Sequence, residues 1–325
     1  MSGIALALAA LTPWLQEAKL RYSEAQPLAP YTTLRIGGPA ARVIDWPEQD
    51  RDGAALLGKL AELRIPARVL GAGSNLLIDD APYAGVILRM KSTVAPIFDE
   101  EGVTAPAGFM LPRLATLAAA EGLAGLEAFA GIPGTVGGAA AMNAGAWGSE
   151  IREVFAWAEV VTAAGLQRIG LNQADFGYRH SIFQTAPGSP PALIRRVHFI
   201  LRREHPAQVR ERLLGWQRKR EATQPVSART AGSTWTNPSG WTHPAGADAQ
   251  PAWKLLDACG LRGWGVGGVR LSEKHCNFLI NHGDGSSADA LAVMAEAERR
   301  VQEQFGVTLE REIRHWPAGE GDHGA

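Results

Sequence analysis

The sequence predicts an α+β fold made of several subdomains, and three observations support this prediction. Strand-like and helix-like segments alternate through the first half, but too irregularly for a simple repeat of strand, helix and strand. Two stretches, residues 71–75 and 130–147, are unusually rich in glycine and other small residues. A chain of 325 residues is also long for one hydrophobic core, so two or three subdomains are expected.

The first half is predicted to contain both helices and strands. Apolar spacing and turn residues indicate, in order, a helix that starts within residues 4–11, a strand with Val43 and Ile44 after a turn at Gly37 and Gly38, a helix at 51–63, strands at 69–70, 76–78 and 85–90, and a helix from Pro112 to near Gly122. The first glycine-rich stretch therefore lies between two strands.

The second half differs in character. Residues 208–221 predict a basic helix, and residues 225–251, rich in Ser, Thr, Gly and Pro, predict a loop or short strand. Ser286 and Asp289 form a capping box that opens a further helix, which Gly306 should end. The apolar side of that helix is expected to contain Leu291, Met294, Val301 and Phe305.

The segment after this helix, residues 307–313, alternates like a strand. Val307, Leu309 and Ile313 would lie on one face, with Glu310 and Glu312 on the other. The sequence therefore places two carboxylates together near the end of the chain.

Composition argues against several classes of protein. A net charge of −1 does not favour broad nucleic-acid binding, so we expect no nucleic-acid partner. The two cysteines, Cys259 and Cys276, fit a reducing compartment, and no histidine has metal-ligand spacing. The N-terminal apolar run is short and lacks a preceding Lys or Arg, unlike a signal peptide or membrane span. We expect a cytoplasmic monomer without membrane insertion or a metal.

The glycine-rich stretches do not match the common nucleotide loops. GAGSNL has Leu76 where the dinucleotide fingerprint requires its third glycine, and no P-loop pattern occurs. The backbone N–H groups of residues 71–75 suit an anion nest, and residues 131–138 offer the same with Thr135 as a hydroxyl donor. Two tight structural turns remain the alternative interpretation.

Six motifs occur in order between residues 31 and 314: IGGPA, GAGSNLLI, GIPGTVGGAAAMNAGAWG, FGYRHSIFQ, AGSTWTNPSG and LSEKHCNFLIN. Together they resemble the UDP-N-acetylenolpyruvoylglucosamine reductase family of cell-wall synthesis. Each motif alone is weak, whereas six in this order are specific. Ser233 follows Ser181 by 52 positions, a spacing similar to that of the shorter subclass without a tyrosine-bearing lid loop.

The resemblance implies an FAD-binding fold of the vanillyl-alcohol oxidase (PCMH) type over residues 1–205, in two subdomains with a boundary near residue 90. It also implies a substrate-binding α+β domain at 206–306, and a terminal strand and tail at 307–325 that carry a catalytic glutamate. The implied cofactor is non-covalent FAD, with NADPH as the reductant. The implied substrate is UDP-N-acetylglucosamine enolpyruvate, which is reduced to UDP-N-acetylmuramate.

That reaction makes chemical demands that candidate residues can meet. Hydride addition to the enolpyruvyl group leaves enolate character on its carboxylate, which requires positive charge and a proton donor. The resemblance implies Arg179 for the first role, and the bidentate guanidinium suits a carboxylate. It implies Ser233 as the proton donor, although Trp235 and Thr236 stand where the family usually has Phe and Lys.

The third catalytic group implied by the resemblance is a glutamate in EREIRHW. Alternation alone does not separate Glu310 from Glu312, but the match to the family pattern E-[VI]-R selects Glu312. A carboxyl group beside the enolate can hold a proton if burial raises its pKa.

Binding residues are carried over from the same motifs. The resemblance implies substrate contacts at Tyr178, Arg220, Gln224, Asn237 and His275. It implies FAD contacts at Gly71, Ala72, Gly73, Ser74, Asn75, Leu76, Gly131, Ile132, Pro133, Gly134, Thr135, Gly138, Asn143, Gly145, Ala146 and Arg314.

Two rival classes of protein stay open on the sequence alone. A related flavin oxidase would share the glycine-rich loops, but not the motifs of Arg179, Ser233 and Glu312 together. A non-catalytic flavin-binding or UDP-sugar-binding protein would tolerate the loss of these residues, and all three are present.

Overall fold

The structure is a computed structural model that describes residues 3–47, 50–184, 192–238 and 250–319. Its helices are α1 (Gly3–Glu17), α2 (Asp50–Glu62), α3 (Leu111–Ala120), α4 (Val136–Ala141), α5 (Pro206–Thr223), α6 (Ala252–Ala258) and α7 (Ser287–Phe305). In this part of the chain, no helix combines the length and the apolar character needed to cross a bilayer.

The strands are mostly short. They are β1 (Tyr22–Pro27), β2 (Pro39–Asp45), β3 (Ala67–Leu70), β4 (Leu76–Ile78), β5 (Tyr83–Arg89), β6 (Ile97–Phe98), β7 (Gly102–Pro106), β8 (Leu123–Ala124), β9 (Gly145–Ala146), β10 (Ser149–Glu150), β11 (Phe155–Thr162), β12 (Gly165–Gly170), β13 (Leu193–Ile200), β14 (Arg202–Arg203), β15 (Gly265–Val266), β16 (Val269–Leu271), β17 (Leu279–Asn281) and β18 (Arg314–Trp316).

The first of two compact units contains Met1–Gln26, Ala40–Ala72 and Ala84–Lys219. Its larger sheet has the strand order β12–β11–β13–β7–β6, with every pair antiparallel. A second sheet has the order β1–β2–β5–β3 and contains the parallel pair β3 and β5. One hydrophobic core, which includes Leu114 and Phe199, lies in this unit.

The second unit contains Pro27–Pro39, Gly73–Tyr83 and Arg220–Ala325. It has an antiparallel sheet of β15, β16 and β17, and a parallel pair of β4 and β18. Its separate core is built around Trp235 and the buried face of α7. Each unit therefore has a hydrophobic core of its own.

The capping box of α7 is confirmed. The Ser286 hydroxyl accepts the Asp289 N–H at 3.0 Å, and an Asp289 carboxylate oxygen accepts the Ser286 N–H at 3.0 Å. Gly306 ends the helix in the left-handed conformation, with φ of 67°. The prediction that Phe305 lies on the buried side is wrong, because residues 302–306 are all exposed and the buried face ends at Val301.

The predicted strand at residues 307–313 is also wrong. This segment makes an isolated bridge at Arg311, and the strand β18 begins only at Arg314. The N–H groups of Glu312 and Ile313 both donate to Thr234 O, at 2.8 and 3.2 Å. Two successive amides that share one acceptor cannot continue a regular ladder. The burial pattern was nevertheless correct, since Leu309 and Ile313 are buried.

The other predicted elements of the first half, and the basic helix of the second half, are present at their expected places. Two expectations fall partly outside the described residues: the middle of the predicted loop (239–249) and the end of the predicted tail (320–325).

Candidate active site

The loop at residues 71–75 presents a row of backbone donors. Within the described part of the chain, no hydrogen bond uses the N–H groups of residues 71–74. An added Cβ at Gly71 would lie 2.6 Å from Thr135 Oγ1, so a larger residue would displace that hydroxyl. Successive unpaired N–H groups suit an anionic ligand.

The second loop, residues 131–138, runs into α4. Thr135 caps this helix, and its hydroxyl accepts the Gly138 N–H at 3.3 Å. The loop is held in place where the Leu111 N–H donates to Gly134 O at 3.0 Å. The N–H groups of Gly134 and Thr135 themselves have no partner among the described residues. The other predicted cofactor residues here are half-buried or exposed: Gly131, Ile132 and Pro133.

Asn143 is fully buried, and protein groups occupy both ends of its carboxamide. Its Nδ2 donates to Glu150 Oε2 at 3.1 Å and to Gly177 O at 2.9 Å, while Oδ1 accepts the Arg152 N–H at 3.0 Å. The side chain therefore ties the end of the glycine run to the turn that carries Arg179. A cofactor contact at this residue would use its backbone.

Arg179 lies in a tight turn in which Gly177 and His180 exchange two backbone hydrogen bonds, at 3.1 and 3.2 Å. Its φ of 55° is in the left-handed region, which a non-glycine residue keeps only when its surroundings enforce it. One guanidinium nitrogen donates to Gly145 O at 3.2 Å. The guanidinium carbon lies 4.9 Å from the ring centroid of the half-exposed Tyr178.

Gly145 and Ala146 form β9, which pairs with Ser149 and Glu150 in β10. An added Cβ at Gly145 would lie 2.7 Å from Ser149 O and 3.2 Å from Arg179 Nη1. The glycine is thus required by the close approach of the hairpin and of the arginine.

The structure brings Ser233 and Glu312 onto neighbouring segments of the second unit. Ser233 forms an antiparallel bridge with Phe278, and the Glu312 N–H donates to Thr234 O at 2.8 Å. Ser233 is half-buried, and its hydroxyl has no hydrogen-bond partner in the part of the chain that the structure describes. That hydroxyl is therefore available to a ligand.

Glu312 is held by its backbone on both sides. Its carbonyl accepts from Asn75 Nδ2 at 3.0 Å, and the Arg314 N–H donates to Asn75 O at 3.0 Å. Arg314 then pairs with Leu76 in the parallel ladder of β18 and β4. Glu310 is exposed, whereas Glu312 is half-buried. Asn75, Leu76 and Arg314 therefore position the segment of Glu312.

Arg220 and Gln224 lie one turn apart at the end of α5. Burial lowers the pKa of the Arg220 guanidinium to about 10, so it still carries its charge at neutral pH. Among the described residues, no carboxylate pairs with it. Gln224 Oε1 is buried and has no hydrogen-bond partner there either. A half-buried charge and a buried acceptor without partners indicate a place for a polar ligand.

His275 and Asn237 have partly structural contacts. Burial, with a smaller effect of the Arg262 charge, lowers the pKa of His275 to about 4. Its Nδ1 accepts the Asn277 N–H at 3.4 Å, which leaves the proton of the neutral ring on Nε2 as a donor. Asn237 Oδ1 accepts the Ala252 N–H at 3.1 Å at the start of α6. Its Nδ2 is the group left for a substrate.

Comparison with known proteins decides the family. A model described as an FAD binding domain matches residues 41–170, and one described as the C-terminal domain of UDP-N-acetylenolpyruvoylglucosamine reductase matches residues 224–316. The reductase of Acidiphilium cryptum is 40% identical over 302 residues, covering 92% of this chain and 93% of that protein. The reductase of Gluconobacter oxydans is 41% identical, covering 89% and 90%. The chain belongs to the UDP-N-acetylenolpyruvoylglucosamine reductase family.

A solved structure supports the same assignment to the reductase family. The crystal structure of the Thermus caldophilus reductase, MurB, has a TM-score of 0.72 and 32% sequence identity, covering 92% of this chain and 99% of that one. The resemblance found in the sequence is therefore confirmed, as is the α+β fold class with an FAD-binding domain.

Two polar residues of the second unit, Lys274 and Glu298, were not predicted from the sequence to have a role. Lys274 lines a cleft together with Gln224 and residues 225–228, and its ammonium donates to Glu221 O. Its place in the LSEKHCNFLIN motif was the available signal. Glu298 was also missed, because nothing in the helical pattern of α7 marks it as different from the other acidic residues there.

Proposed function

We propose that this protein reduces UDP-N-acetylglucosamine enolpyruvate to UDP-N-acetylmuramate, with NADPH as the reductant and non-covalent FAD as the cofactor. The observation that carries the proposal is the pairing, in one chain, of an FAD-binding domain with the C-terminal domain specific to this reductase family. A flavin oxidase would share the first of these domains and lack the second.

The residues present fit FAD. Unpaired N–H groups at residues 71–74, and at Gly134 and Thr135 in the second loop, suit its diphosphate. We assign the contacts to these two loops and to Gly138, Asn143, Gly145, Ala146 and Arg314. When bound, the flavin accepts a hydride from NADPH and delivers a hydride to the substrate.

Arg179 binds the carboxylate of the enolpyruvyl group in this proposal. Its turn and the Gly145 carbonyl fix the guanidinium before substrate arrives, so little reorganisation is needed as negative charge develops. The strained φ supports such a role, because strain at a non-glycine residue collects at functional sites.

Ser233 donates the proton that completes the reduction. Its hydroxyl is free of protein partners in the described residues, so it can hydrogen-bond the substrate directly. Glu312, on the neighbouring segment, holds a proton beside the enolate, stabilises it together with Arg179, and helps to return a proton to Ser233. Both residues are kept in register by the hydrogen bond from Glu312 N–H to Thr234 O.

The nucleotide part of the substrate is assigned to the second unit, with Tyr178 as a further contact. Arg220 keeps its positive charge without a protein carboxylate and therefore suits the diphosphate. Gln224 offers its buried acceptor, His275 its Nε2–H and Asn237 its Nδ2–H₂.

We also keep the domain division inferred from the sequence: an FAD-binding part at 1–205, a substrate part at 206–306 and a terminal part at 307–325. We propose that the protein acts as a monomer in the cytoplasm. The two unpaired cysteines, Cys259 and Cys276, are compatible with a reducing compartment.

Anaerobic spectroscopy on the purified protein tests this function. The protein should be yellow, and NADPH alone should bleach the flavin absorbance. Adding the enolpyruvyl substrate should then restore the oxidised spectrum and yield a product heavier by two hydrogens. UDP-N-acetylglucosamine, which lacks the carboxyvinyl group, serves as the control ligand and should not restore it.

Two results would contradict the proposal. Rapid reoxidation by oxygen with no response to the enolpyruvyl substrate would indicate an oxidase. Binding of the UDP-sugar without any flavin absorbance would indicate a non-catalytic binding protein.

A further inference from the structure

Trp235 lies two residues after Ser233, and its indole nitrogen has a defined partner. The side chain is fully buried. Its indole Nε1 donates to Glu298 Oε1 at 2.9 Å. A phenylalanine would fill similar space but offer no hydrogen-bond donor. The indole therefore connects the Ser233 segment to α7.

The same carboxylate also binds the segment that carries Glu312. Arg311 Nε donates to Glu298 Oε1 at 2.7 Å, and a terminal nitrogen of Arg311 donates to Glu298 Oε2 at 2.9 Å. This two-point arrangement restricts the guanidinium in both position and orientation. Trp235 and Arg311 also form an antiparallel backbone bridge. Trp235 and Arg311 therefore contact each other through their backbones and both donate hydrogen bonds to the Glu298 carboxylate.

Glu298 differs in this respect from its neighbours on α7. Glu296 and Glu303 pair with Arg299 of the same helix, and the Glu303 side chain is 63% exposed. Such pairs within one helix contribute little. Glu298 instead reaches residues 63 and 13 positions away, although its side chain is as exposed as that of Glu296, 26% in each. It adds side-chain contacts between two segments whose backbones pair only around the bridge of Trp235 and Arg311.

The backbone around Glu312 makes this connection relevant to the chemistry. The segment at 310–313 is irregular, and Glu312 is fixed by the bonds of its own N–H and C=O to Thr234 and Asn75. A shift of Arg311 would turn the next peptide and so re-aim the Glu312 side chain. A shift of Trp235 would move Ser233, two residues before it.

We propose that Glu298 is a positioning residue for the reduction: through Trp235 and Arg311 it fixes the Ser233 and Glu312 segments relative to each other. This inference rests on the proposed function. It assigns no contact between Glu298 and the substrate, so its effect should appear in the step that uses Ser233 and Glu312, and not in the reduction of the flavin by NADPH.

Rapid-mixing measurements of the two half-reactions test the inference on the FAD-loaded enzyme. In Glu298→Ala, substrate-dependent reoxidation should slow about 10-fold, the size of a typical coupling within one hydrogen-bond network. The concentration of substrate that gives the half-maximal rate should change less than about twofold. Reduction by NADPH should keep its rate. The matched control, Glu303→Gln, breaks an exposed ion pair on the same helix and should leave both half-reactions unchanged.

A double-mutant cycle separates positioning from general loss of stability. Trp235→Phe should slow reoxidation about threefold alone and add almost nothing to Glu298→Ala, because both remove the same hydrogen bond. Glu298→Gln keeps an acceptor for the indole and should recover part of the rate. It also serves as the deciding variant if Glu298→Ala does not fold. The pH profile of reoxidation should shift in the Glu298 variants and not in Glu303→Gln.

The inference is overturned if the folded Glu298 variants reoxidise at the wild-type rate, or if Trp235→Phe and Glu298→Ala reduce the rate independently. A wild-type protein whose flavin NADPH reduces, but which the enolpyruvyl substrate does not reoxidise, would instead contradict the proposed function. The positioning role would then fall with it.

Discussion

The two units hold their candidate catalytic residues in different ways. In the first unit, Arg179 is fixed by a turn of four residues and by Gly145, 34 positions earlier. In the second unit, Glu312 is fixed by Asn75, 237 positions away, and by the segment of Ser233. A strained local turn therefore positions the arginine, whereas contacts between distant segments position the serine and the glutamate.

This difference predicts different responses to mutation. Changes around Arg179 should alter the site without affecting the rest of its unit, because the turn is small and lies outside the regular sheets. Changes around Glu312 should spread, because its segment has no regular ladder of its own and depends on side chains from several elements. Three experiments test that contrast, beginning with the largest expected effect.

Replacing Arg179 with alanine should lower the rate of substrate-dependent flavin reoxidation by about 100- to 1,000-fold, the usual loss when one group that stabilises an oxyanion is removed. The thermal midpoint and the flavin content should change little, since the turn keeps its backbone bonds. Stopped-flow absorbance and thermal scanning measure both effects on one preparation.

Arg202→Ala is the matched control, because Arg202 belongs to the same unit and its exposed side chain pairs only with Glu204 among the contacts described. Its reoxidation rate should stay within about twofold of the wild type. If Arg179→Ala behaved like this control, the guanidinium would not be the group that meets the substrate carboxylate.

Gly145→Ala should have the next largest effect. The added methyl group would lie 2.7 Å from Ser149 O and 3.2 Å from Arg179 Nη1, so the hairpin or the arginine must move. Overpacking of this kind costs about 1–3 kcal/mol in the free energy of unfolding. Reoxidation should slow by about 10-fold if the arginine is the group that yields. Chemical denaturation and stopped-flow measurements give the two numbers.

Gly215→Ala provides the comparison, since nothing lies within 4 Å of an added Cβ at this position of α5. Alanine there should stabilise the protein by up to about 1 kcal/mol through helix propensity. An equal loss of activity in both glycine variants would mean that the Gly145 contact has no special role.

The sequence predicts the features that depend on local contacts and fails for those that depend on distant contacts. The capping box at Ser286 and the helix end at Gly306 were predicted because each signal lies within a few residues of the feature that it forms. The motif of Arg179 is likewise short. The family, its FAD-binding domain and the fold class were also reached from motifs of this kind.

The failures have long-range causes. Residues 307–313 alternate like a strand, yet Thr234 O accepts two successive N–H groups from this segment and prevents a ladder. Phe305 has the spacing of a buried residue, but the core of its unit ends one turn earlier, at Val301. Glu298 has the same sequence context as the surface glutamates of α7. Only the tertiary structure distinguishes these residues.

The two units should lose stability over different pH ranges on acidification, and this is the smallest effect that we expect. Burial raises the pKa of Glu159 in the first unit, but this effect is outweighed by hydrogen bonds and charge from Arg196 and by hydrogen bonds from Arg168 and Arg195. The pKa is therefore about 2. Its stabilising contribution is therefore present above the ordinary pKa of 4.5 and is lost as the pH falls towards 2. The pKa of His275 in the second unit is about 4, lowered mainly by burial.

The neutral His275 therefore stabilises its unit fully above the ordinary pKa of 6.5, and that contribution is lost as the pH falls through about 4. Hydrogen exchange followed by mass spectrometry, from neutral pH down to pH of about 2, should show peptides of the second unit losing protection before those of the first. His275→Gln should remove the pH dependence of protection only between pH 6.5 and about 4, in the second unit. Glu159→Gln should remove it only between pH 4.5 and about 2, in the first unit. Simultaneous loss of protection in both units, unchanged by either variant, would mean that the two units unfold together in acid and that neither group sets the order.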